Sequence, residues 1–407
     1  MKICYIAAYP PEKAGITQYS QKLVDSISKL QKHLIYVISG KIKEEKKAEN
    51  SKIDVRRIWK RRSIFYPFTI FKEIIKIKPD IVHAQFGPYG LEGGGFIGEY
   101  FLILLFLLKL FHIKTTITIH SFYTRKQVEI RAAKRLNNKF FKKIISTIFI
   151  GFTKLVEILT DTIQFSTVRF HSKFKEKILQ EYKMKPNKTL EIPHPCESNK
   201  NLISKSTARK KLDITQKLVL LCFGYIYPIK GIEYAIKALD FLKNRKDIIL
   251  IIAGQTHPTE GLEYTSYLND LIKKGKLRNK DINIRFINRF MSEEEVILLF
   301  SAADLILLPY TESYGTSGPY HQAIGFGKPA IAFKIGLHWI DVTDKKIILC
   351  PFKDIRCLAK KIDFFYENPE ELKKVSKKLL DHAEKETWEK FGERTIEYYK
   401  KIITKKK

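Results

Sequence analysis

Short apolar runs alternate with amphipathic segments along most of the chain. The runs are rich in β-branched residues, whereas the segments between them repeat their apolar positions at helical spacing. This alternation is typical of a parallel sheet that is covered by helices. The predicted strands of the first half are KICYIAA, LIYVISG, DIVHAQF, TTITIH, TIQFST and TLEIPHP, and those of the second half are KLVLLCFG, DIILIIAG, NIRFIN, DLILLPY, PAIAF and KIILC.

One segment separates the two series of strands. Residues 196–216, CESNKNLISKSTARKKLDITQ, are polar, charged and poor in apolar periodicity, so we place a domain boundary near residue 200. The sequence predicts an α/β protein with two Rossmann-like, doubly wound domains, 1–200 and 201–387. Ligands of such sheets lie beyond the carboxyl ends of the strands. We therefore expect the active site in a cleft where the two domains face each other.

The C-terminal segment predicts one more amphipathic helix. Residues 388–407 carry apolar positions at helical spacing and end in a basic tail. In a two-domain fold of this kind we expect the helix to cross back and pack on the first domain, and an ordinary surface helix is the alternative.

The stretch TESYGTSGPYHQAIGFGKPAIA follows the predicted strand DLILLPY and is rich in small residues. Glycine permits tight turning and Pro319 suits a first helical position, which indicates a strand, a bare loop and a short helix. The helix end, with the Thr316 and Ser317 hydroxyls and the Gly318 backbone, predicts an anion site. A tight turn with a purely structural role is the alternative.

A second strand in this half also ends in glycine. The strand KLVLLCFG ends at Gly224, and Lys230 and Gly231 then precede an amphipathic helix. An ammonium group at the carboxyl end of a strand is suited to meet the charge of a diphosphate. A solvated surface lysine is the alternative.

Charge narrows the choice of partners. The chain has 74 Lys plus Arg against 43 Asp plus Glu, a net charge of +31, which favours polyanionic partners. Residues 101–150 hold ten basic residues and one acidic residue, Glu129, beside the apolar stretches FLILLFLLKLF and FFKKIISTIFIGF. The first stretch is far shorter than the roughly 20 residues of a spanning helix. The two stretches are either core helices or a peripheral patch on an anionic membrane.

Other features exclude further classes of protein. Five scattered cysteines without C-x-x-C spacing predict neither a disulfide framework nor a zinc site. The amino terminus predicts a strand and a loop rather than a secretory signal, so we expect a cytoplasmic protein, with a peripheral membrane contact left open. His83, His120, His194 and His321 do not share close ligand spacing, and we expect no bound metal.

Together these segments resemble the retaining glycosyltransferases of the two-domain GT-B fold, the family-4 type that uses nucleotide-sugar donors. The resemblance covers nearly the whole chain and keeps the family order. Its motifs are YPPEKAGITQYSQKLVDSI, DIVHAQF, ITIHSF and EIPHP in the first half, and GYIYPIKG, IIAGQ, NRFMSEEEV, ADLILLPY and TSGPYHQAIGFGKPAIA in the second.

The resemblance implies a role for each matching residue. It implies that Lys230 contacts the donor diphosphate and takes part in catalysis, and that His120 lies near the reacting sugar. The remaining implied diphosphate contacts are Gly15, Thr316, Ser317 and Gly318. The implied contacts to the nucleoside are Gly254, Arg289, Phe290 and Gln322.

The sequence also departs from the family pattern. Two glutamates separated by seven residues are common in the last loop and helix of the family, and those positions are Tyr314 and Gln322 here. Glu312 lies two residues out of phase. The sugar contacts are therefore assigned to Glu312 and Tyr314 only as a hypothesis. The family's common arginine after the strand glycine is Tyr225 here.

The resemblance implies transfer of a sugar to a saccharide or lipid-linked acceptor with retention of configuration. No D-x-D spacing occurs, so we expect neither a carboxylate-bound metal nor another cofactor. A same-fold nucleotide-sugar epimerase or hydrolase is one alternative. A basic nucleic-acid-binding protein is another, but no nucleic-acid motif is present and we expect no nucleic-acid partner.

Overall fold

A computed structural model of the chain describes residues 1–12, 15–30, 32–42, 53–60, 63–87, 100–120, 123–135, 139–167, 172–197, 203–242, 244–258, 260–278, 283–312, 317–335 and 349–404. The chain divides into two compact units. The first is formed by Met1–His194 together with Trp388–Lys407, and the second by Pro195–Ser313 together with Ser317–Thr387. The boundary predicted near residue 200 lies outside the described residues.

The first unit is built on a parallel sheet. Within the described ranges its strand order is β3-β2-β1-β4-β5-β6-β7, which is the order of a doubly wound sheet. The central strands are buried along their length, as expected where helices cover both faces. The strands are β1 (Lys2–Ile6), β2 (Leu34–Gly40), β3 (Ile53–Trp59), β4 (Ile81–Phe86), β5 (Thr115–Ile119), β6 (Thr162–Thr167) and β7 (Thr189–Pro193).

Helices cover both faces of this sheet. Its helices are α1 (Gly15–Ser28), α2 (Tyr66–Ile77), α3 (Phe101–Leu110), α4 (Arg125–Arg135), α5 (Lys139–Leu159), α6 (Ser172–Glu181) and the C-terminal helix Trp388–Thr404, which is α14. One core joins α2, α3 and α5 to the sheet through residues such as Ile74, Leu105 and Val156. A separate core joins α1 and α14, through Leu23 and Ile396. The C-terminal helix therefore forms part of the first unit.

Strand β3 was not among the predicted strands. Ile53, Val55 and Ile58 give it partial alternation, but Arg56 and Arg57 interrupt the apolar run. It pairs only with β2 within the described residues and lies at the edge of the sheet, where one side remains accessible to charged side chains. An edge strand of this kind does not need the continuous apolar run on which the prediction was based.

The second unit repeats the doubly wound order. Its parallel sheet has the order β10-β9-β8-β11-β12-β13 in the described part of the chain. The strands are β8 (Leu218–Phe223), β9 (Ile248–Ala253), β10 (Asn283–Ile287), β11 (Leu305–Leu308), β12 (Ala330–Phe333) and β13 (Leu349–Cys350). The helices are α7 (Lys205–Lys211), α8 (Ile232–Leu239), α9 (Leu262–Arg278), α10 (Glu293–Ala302), α11 (Gly318–Gly325), α12 (Ile355–Glu367) and α13 (Pro369–Ala383).

The first apolar stretch of the first half forms α3 and the residue after it, and the second forms the amino-terminal two thirds of α5. Each helix has one buried side, with Leu104 in α3 and Phe152 in α5, and one exposed side, on which Phe106 is 54% exposed. Both helices therefore contribute to the core and also present apolar side chains to solvent. Across the described residues, no helix combines the length and the apolar character needed to cross a bilayer.

Candidate active site

Lys230 lies at the carboxyl edge of the second sheet. The chain leaves β8, forms the short 3-10 turn Pro228–Lys230, and enters α8 through Gly231. Gly231 has a φ of 60°, and a β-carbon there would lie 2.0 Å from the carbonyl oxygen of Pro309. Because only glycine allows this close approach, Gly231 holds Lys230 beside the end of β11.

A chain of three polar side chains joins Lys230 to the start of α11. The Lys230 Nζ donates a hydrogen bond to the Tyr310 hydroxyl at 2.9 Å and lies 4.1 Å from the centre of the Tyr310 ring. The Tyr310 hydroxyl is 3.1 Å from the Ser317 Oγ. Ser317 is the N-cap of α11 and accepts a hydrogen bond from the Tyr320 backbone N–H. The ammonium group is therefore turned towards this helix end.

Electrostatics at this cluster favour an anion. Burial lowers the pKa of Lys230, and burial raises the pKa of the Tyr310 phenol, so Tyr310 contacts the ammonium group as a neutral hydroxyl. A neutral oxygen compensates only part of the desolvation of a cation. A phosphate at this position would add the opposite charge that stabilises the protonated lysine.

Glycines lie around the Lys230 ammonium group and at the start of α11. At Gly224, with a φ of 114°, a β-carbon would lie 3.8 Å from the Lys230 Nζ and 3.5 Å from Pro319. A β-carbon on Gly254, which has a φ of 150°, would lie 1.9 Å from the Gly224 carbonyl oxygen. Gly318, the first residue of α11, is exposed, and no described atom lies within 4 Å of the position of an added β-carbon. The described residues therefore leave this helix end open.

The other residues of the second unit that were predicted to contact the nucleotide-sugar do not belong to the Lys230, Tyr310 and Ser317 cluster. Glu312 and Gln322 are half-buried, before and within α11. Arg289 is exposed and forms a two-pronged ion pair with Glu295, in which one N···O distance is 2.8 Å, and Phe290 beside it is half-buried. Glu295 also completes the predicted capping box with Ser292 at the start of α10. Tyr314 and Thr316 lie outside the described residues.

Tyr310 was missed by the sequence analysis. It was included in the predicted strand DLILLPY as one more apolar position, although β11 ends at Leu308. The sequence did contain an indication of this role. Tyr310 lies two residues beyond a buried strand, and Lys230 follows the end of another strand in the same half of the chain. The Tyr310 hydroxyl connects two predicted residues, Lys230 and Ser317, that are far apart in the sequence.

A second polar cluster lies within the first unit. His120 follows β5, and its Nε2 is 2.8 Å from the Gln85 Oε1 in β4. The Gln85 Nε2 is 3.3 Å from the Nε2 of the fully buried His83, which also lies 2.7 Å from the Thr118 Oγ1. The His83 Nδ1 contacts the Tyr399 hydroxyl of α14.

These contacts determine the tautomer of His120. A carbonyl oxygen only accepts hydrogen bonds, so the Nε2 of His120 donates its proton to the Gln85 Oε1. Burial and, to a smaller extent, the neighbouring His194 lower the pKa of His120 to about 3. His120 is therefore neutral near pH 7, and its Nδ1 is left as a proton acceptor. This arrangement suits a group that accepts a hydrogen bond from a hydroxyl.

Aromatic rings pack around His120. Tyr19 of α1 contacts it edge-on, with 4.7 Å between the ring centres, and also contacts His194 at 5.5 Å and Trp388 at 5.4 Å. Gly15, the first residue of α1, lies four positions before Tyr19.

Gln85 and Tyr399 were not predicted as site residues. Polar side chains at positions 83 and 85 of the otherwise apolar strand β4 were the available signal.

Residues 204–380 match the family model described as glycosyl transferases group 1. The described residues of this segment belong to the second unit and include Lys230, Tyr310 and Ser317. A search of curated proteins by sequence finds no match.

Solved structures match the chain over almost its full length. Sucrose-phosphate synthase from Thermosynechococcus elongatus is 16% identical with a TM-score of 0.75, and the alignment covers 98% of both chains. A glycosyltransferase from Rickettsia africae is 18% identical with a TM-score of 0.73, covering 100% of this chain and 99% of that one. HepE from Anabaena, solved in complex with UDP-glucose, is 14% identical with a TM-score of 0.71, covering 98% and 100%. These likenesses confirm the predicted α/β fold class of the GT-B type.

Proposed function

We propose that the protein is a glycosyltransferase that moves a sugar from a nucleoside-diphosphate sugar to an acceptor hydroxyl. The observation that carries this proposal is the Lys230, Tyr310 and Ser317 cluster beside the end of α11, which the described residues leave open. The match of residues 204–380 to glycosyl transferases group 1 supports it, since the cluster falls inside the matched segment. The family-4 assignment is part of the same proposal.

The donor diphosphate binds between Lys230 and the amino-terminal end of α11. The ammonium group, the Ser317 hydroxyl, the Thr316 and Gly318 backbone, and the helix dipole all favour an anion. Gly254, Arg289, Phe290 and Gln322 are assigned to the nucleoside, and Glu312 and Tyr314 to the sugar. The complex of the similar protein HepE with UDP-glucose supports a nucleotide-sugar donor.

Negative charge develops on the diphosphate as its bond to the sugar breaks. Groups already fixed around that charge stabilise the transition state without reorganising, which is the main source of catalysis at such sites. The absence of a D-x-D spacing supports a metal-independent reaction in which Lys230 and the helix end stabilise the leaving group. We expect that a chelator leaves the rate unchanged.

His120 and Gly15 act on the side of the first unit in this proposal. The neutral imidazole of His120, oriented by Gln85, accepts a hydrogen bond from a hydroxyl near the reacting carbon. Gly15 at the start of α1 allows backbone to approach the donor. The acceptor is a saccharide or a lipid-linked saccharide, and it attacks from the face of the leaving group, with retention of configuration.

A Lys230→Ala variant tests the proposal. Loss of one donor to a developing anion typically costs a hundred- to thousandfold in rate, so we expect kcat/KM for transfer to fall by about that factor, with thermal stability nearly unchanged. The matched control is Lys217→Ala. Lys217 also lies over a tyrosine ring, 3.8 Å from the centre of Tyr366, but belongs to no part of the proposed site.

Transfer is measured as glycosylated acceptor and as released nucleoside diphosphate in the same reaction. The proposal predicts equal amounts of both products in the wild type and near-normal turnover in Lys217→Ala. Near-normal transfer by Lys230→Ala would refute the assigned diphosphate site. Release of nucleoside diphosphate without any glycosylated acceptor, across a panel of saccharide and lipid-linked acceptors, would favour a hydrolysing enzyme instead.

A further inference from the structure

Helix α5 presents an apolar stripe to solvent. Its exposed large residues are Phe141, Ile144, Ile148, Leu155 and Ile158, which are between 37% and 51% exposed. Together with the exposed Gly151, they repeat at alternating intervals of three and four residues, so they lie along one side of the helix. The opposite side is buried through Phe152 and Val156.

The neighbouring helices extend this stripe into a continuous surface. Ile103, Phe106 and Leu110 of α3 are exposed at the same spacing, and Phe111 follows them. The ring of Phe111 lies 5.0 Å from that of Phe71 in α2, where Phe68 is 50% exposed. We call the exposed apolar residues of α2, α3 and α5 the apolar face. An extended exposed apolar surface of this kind marks an interaction site.

A basic cavity opens at one end of the apolar face. It has a volume of about 810 Å³ and lies at the amino ends of β5, β6 and β7. Its lining includes one acidic residue, Asp161, and five lysines: Lys109, Lys114, Lys185, Lys188 and Lys401. We call this cavity the lysine pocket. Five ammonium groups around one cavity favour a multiply charged anion such as a phosphate group.

The apolar face and the lysine pocket are contiguous. Lys109 lines the pocket, precedes the exposed Leu110 and Phe111, and donates a hydrogen bond to the carbonyl oxygen of Ile158. The apolar stripes of α3 and α5 therefore both end at the pocket. A single ligand surface that carries apolar chains beside phosphate groups would contact both.

Hydrogen bonds within the fold explain why some of these lysines, but not all of them, lie at the pocket. The Lys188 Nζ donates to the carbonyl oxygens of Glu157 and Thr160, at 2.8 and 2.9 Å, which holds the last turn of α5. Burial and the neighbouring Lys109 lower the pKa of Lys188. Lys185 and Lys401 belong to other elements and also line the cavity. An anion in the pocket would relieve this crowding of like charges.

We propose that the apolar face and the lysine pocket bind the surface of an anionic lipid bilayer. The apolar residues enter the interface, and the pocket receives the phosphate of a lipid headgroup. Charge selects this partner over a second copy of the chain, because two copies would bring basic surfaces of the same sign together. The chain has a net charge of +31, and residues 101–150 hold ten basic residues and one acidic residue.

Co-sedimentation of the full chain with vesicles tests the apolar face. We expect binding to phosphatidylcholine vesicles that contain phosphatidylglycerol, and at least tenfold weaker binding to pure phosphatidylcholine vesicles. Ile148→Glu should weaken the binding to anionic vesicles at least tenfold. The matched control is Leu262→Glu, since Leu262 is an apolar residue of the second unit that is 72% exposed. Equal binding to both vesicle types, or unchanged binding by Ile148→Glu, would overturn the proposal.

A second pair of variants tests the lysine pocket. Each basic residue near an anionic surface contributes roughly a fivefold change in binding. The double variant Lys185→Glu and Lys401→Glu should therefore weaken anionic-vesicle binding by at least twenty-five-fold on the same rule. The control is Lys210→Glu with Lys211→Glu, on the exposed helix α7. Equal effects of the two double variants would show that net charge alone is responsible and would overturn the pocket assignment.

Two further measurements distinguish the bilayer from other partners. Inorganic phosphate should raise the melting temperature of the wild type less than anionic vesicles do; an equal or larger rise would assign the pocket to a free phosphate compound.

Sedimentation velocity should show one species for the wild type and for Ile148→Glu. A dimer that Ile148→Glu dissociates, without a change in vesicle binding, would assign the apolar face to self-association and contradict the proposal.

Discussion

Buried histidines are an unusual feature of the first unit. His83 is fully buried in β4 and forms hydrogen bonds with Thr118 and Tyr399. Burial and, to a smaller extent, the neighbouring His120 lower its pKa to about 3. The folded protein therefore keeps His83 neutral at pH values where an unfolded chain would protonate it. In this account His83 holds Gln85, and Gln85 in turn orients His120.

The pH dependence of stability follows from this neutral state. The folded pKa is lower than the unfolded value of 6.5, so the contribution of His83 is complete above pH 6.5 and is lost as the pH falls from 6.5 towards 3. Between these pH values the free energy of unfolding falls by roughly 1.4 kcal/mol for each pH unit because of this one group. We expect His83→Gln to be less stable than the wild type at pH 7, with a shallower decline in the free energy of unfolding between pH 6.5 and 4.

Chemical denaturation at several pH values measures this difference. Carboxylates also titrate at acidic pH, but they contribute equally to both proteins and cancel in the comparison. The control is His112→Asn, because His112 is exposed and its φ of 56° is tolerated by asparagine. Parallel stability curves for the wild type and His83→Gln would contradict a buried neutral His83.

At the scale of elements, the apolar runs predicted the inner strands because parallel strands are covered on both faces. The same criterion failed for β3, whose central residues Arg56 and Arg57 lie at the sheet edge. The start of α11 was predicted from Gly318 and Pro319, whose turn and first-turn preferences are local, and the structure adds Ser317 as its N-cap. Its exposed first residue depends on the packing around it, which no local pattern encodes.

Two glycines distinguish packing constraint from helix propensity. Gly254 has a φ of 150°, and an added β-carbon would overlap the Gly224 carbonyl oxygen, so Gly254→Ala should destabilise the second unit by several kcal/mol and lower nucleotide binding. Gly151 lies in α5, and no described atom lies within 4 Å of its added β-carbon. Gly151→Ala should therefore stabilise the protein by up to about 1 kcal/mol.

Melting temperature and denaturant midpoints measure both substitutions in the same background. We expect the free energy of unfolding to fall in Gly254→Ala and to rise in Gly151→Ala, although the chemical substitution is the same. Equal destabilisation by both variants would contradict the open environment of Gly151. A neutral effect of Gly254→Ala would contradict the close contact between the ends of β8 and β9.

At the scale of the whole molecule, contacts between distant residues complete the first unit. The Tyr5 and Tyr399 hydroxyls are 2.8 Å apart, although 394 positions separate them in the sequence. From the sequence we expected the C-terminal helix to pack on the first domain, with an ordinary surface helix as the alternative. Gln85 and Tyr399 could not be assigned to one cluster in advance, since only the folded chain brings them to the same buried histidine.

The sites of the two proposed functions in the first unit are separated in space. His120 follows the carboxyl end of β5, whereas the lysine pocket lies at the amino ends of β5, β6 and β7, on the opposite edge of the same sheet. Vesicle binding and sugar transfer should therefore be affected by different sets of substitutions. The vesicle experiments can therefore contradict membrane binding without bearing on sugar transfer, and the transfer experiments can contradict sugar transfer without bearing on membrane binding.

We propose that a diphosphate binds between Lys230 and the amino-terminal end of α11. Calorimetric titration of nucleoside diphosphates and the corresponding monophosphates into the wild type and Lys230→Ala measures whether it does. We expect one site on the wild type that binds at least one diphosphate more tightly than its monophosphate, and a strong loss of that preference in Lys230→Ala. Equal affinities for both nucleotides, or an unchanged preference in Lys230→Ala, would contradict it.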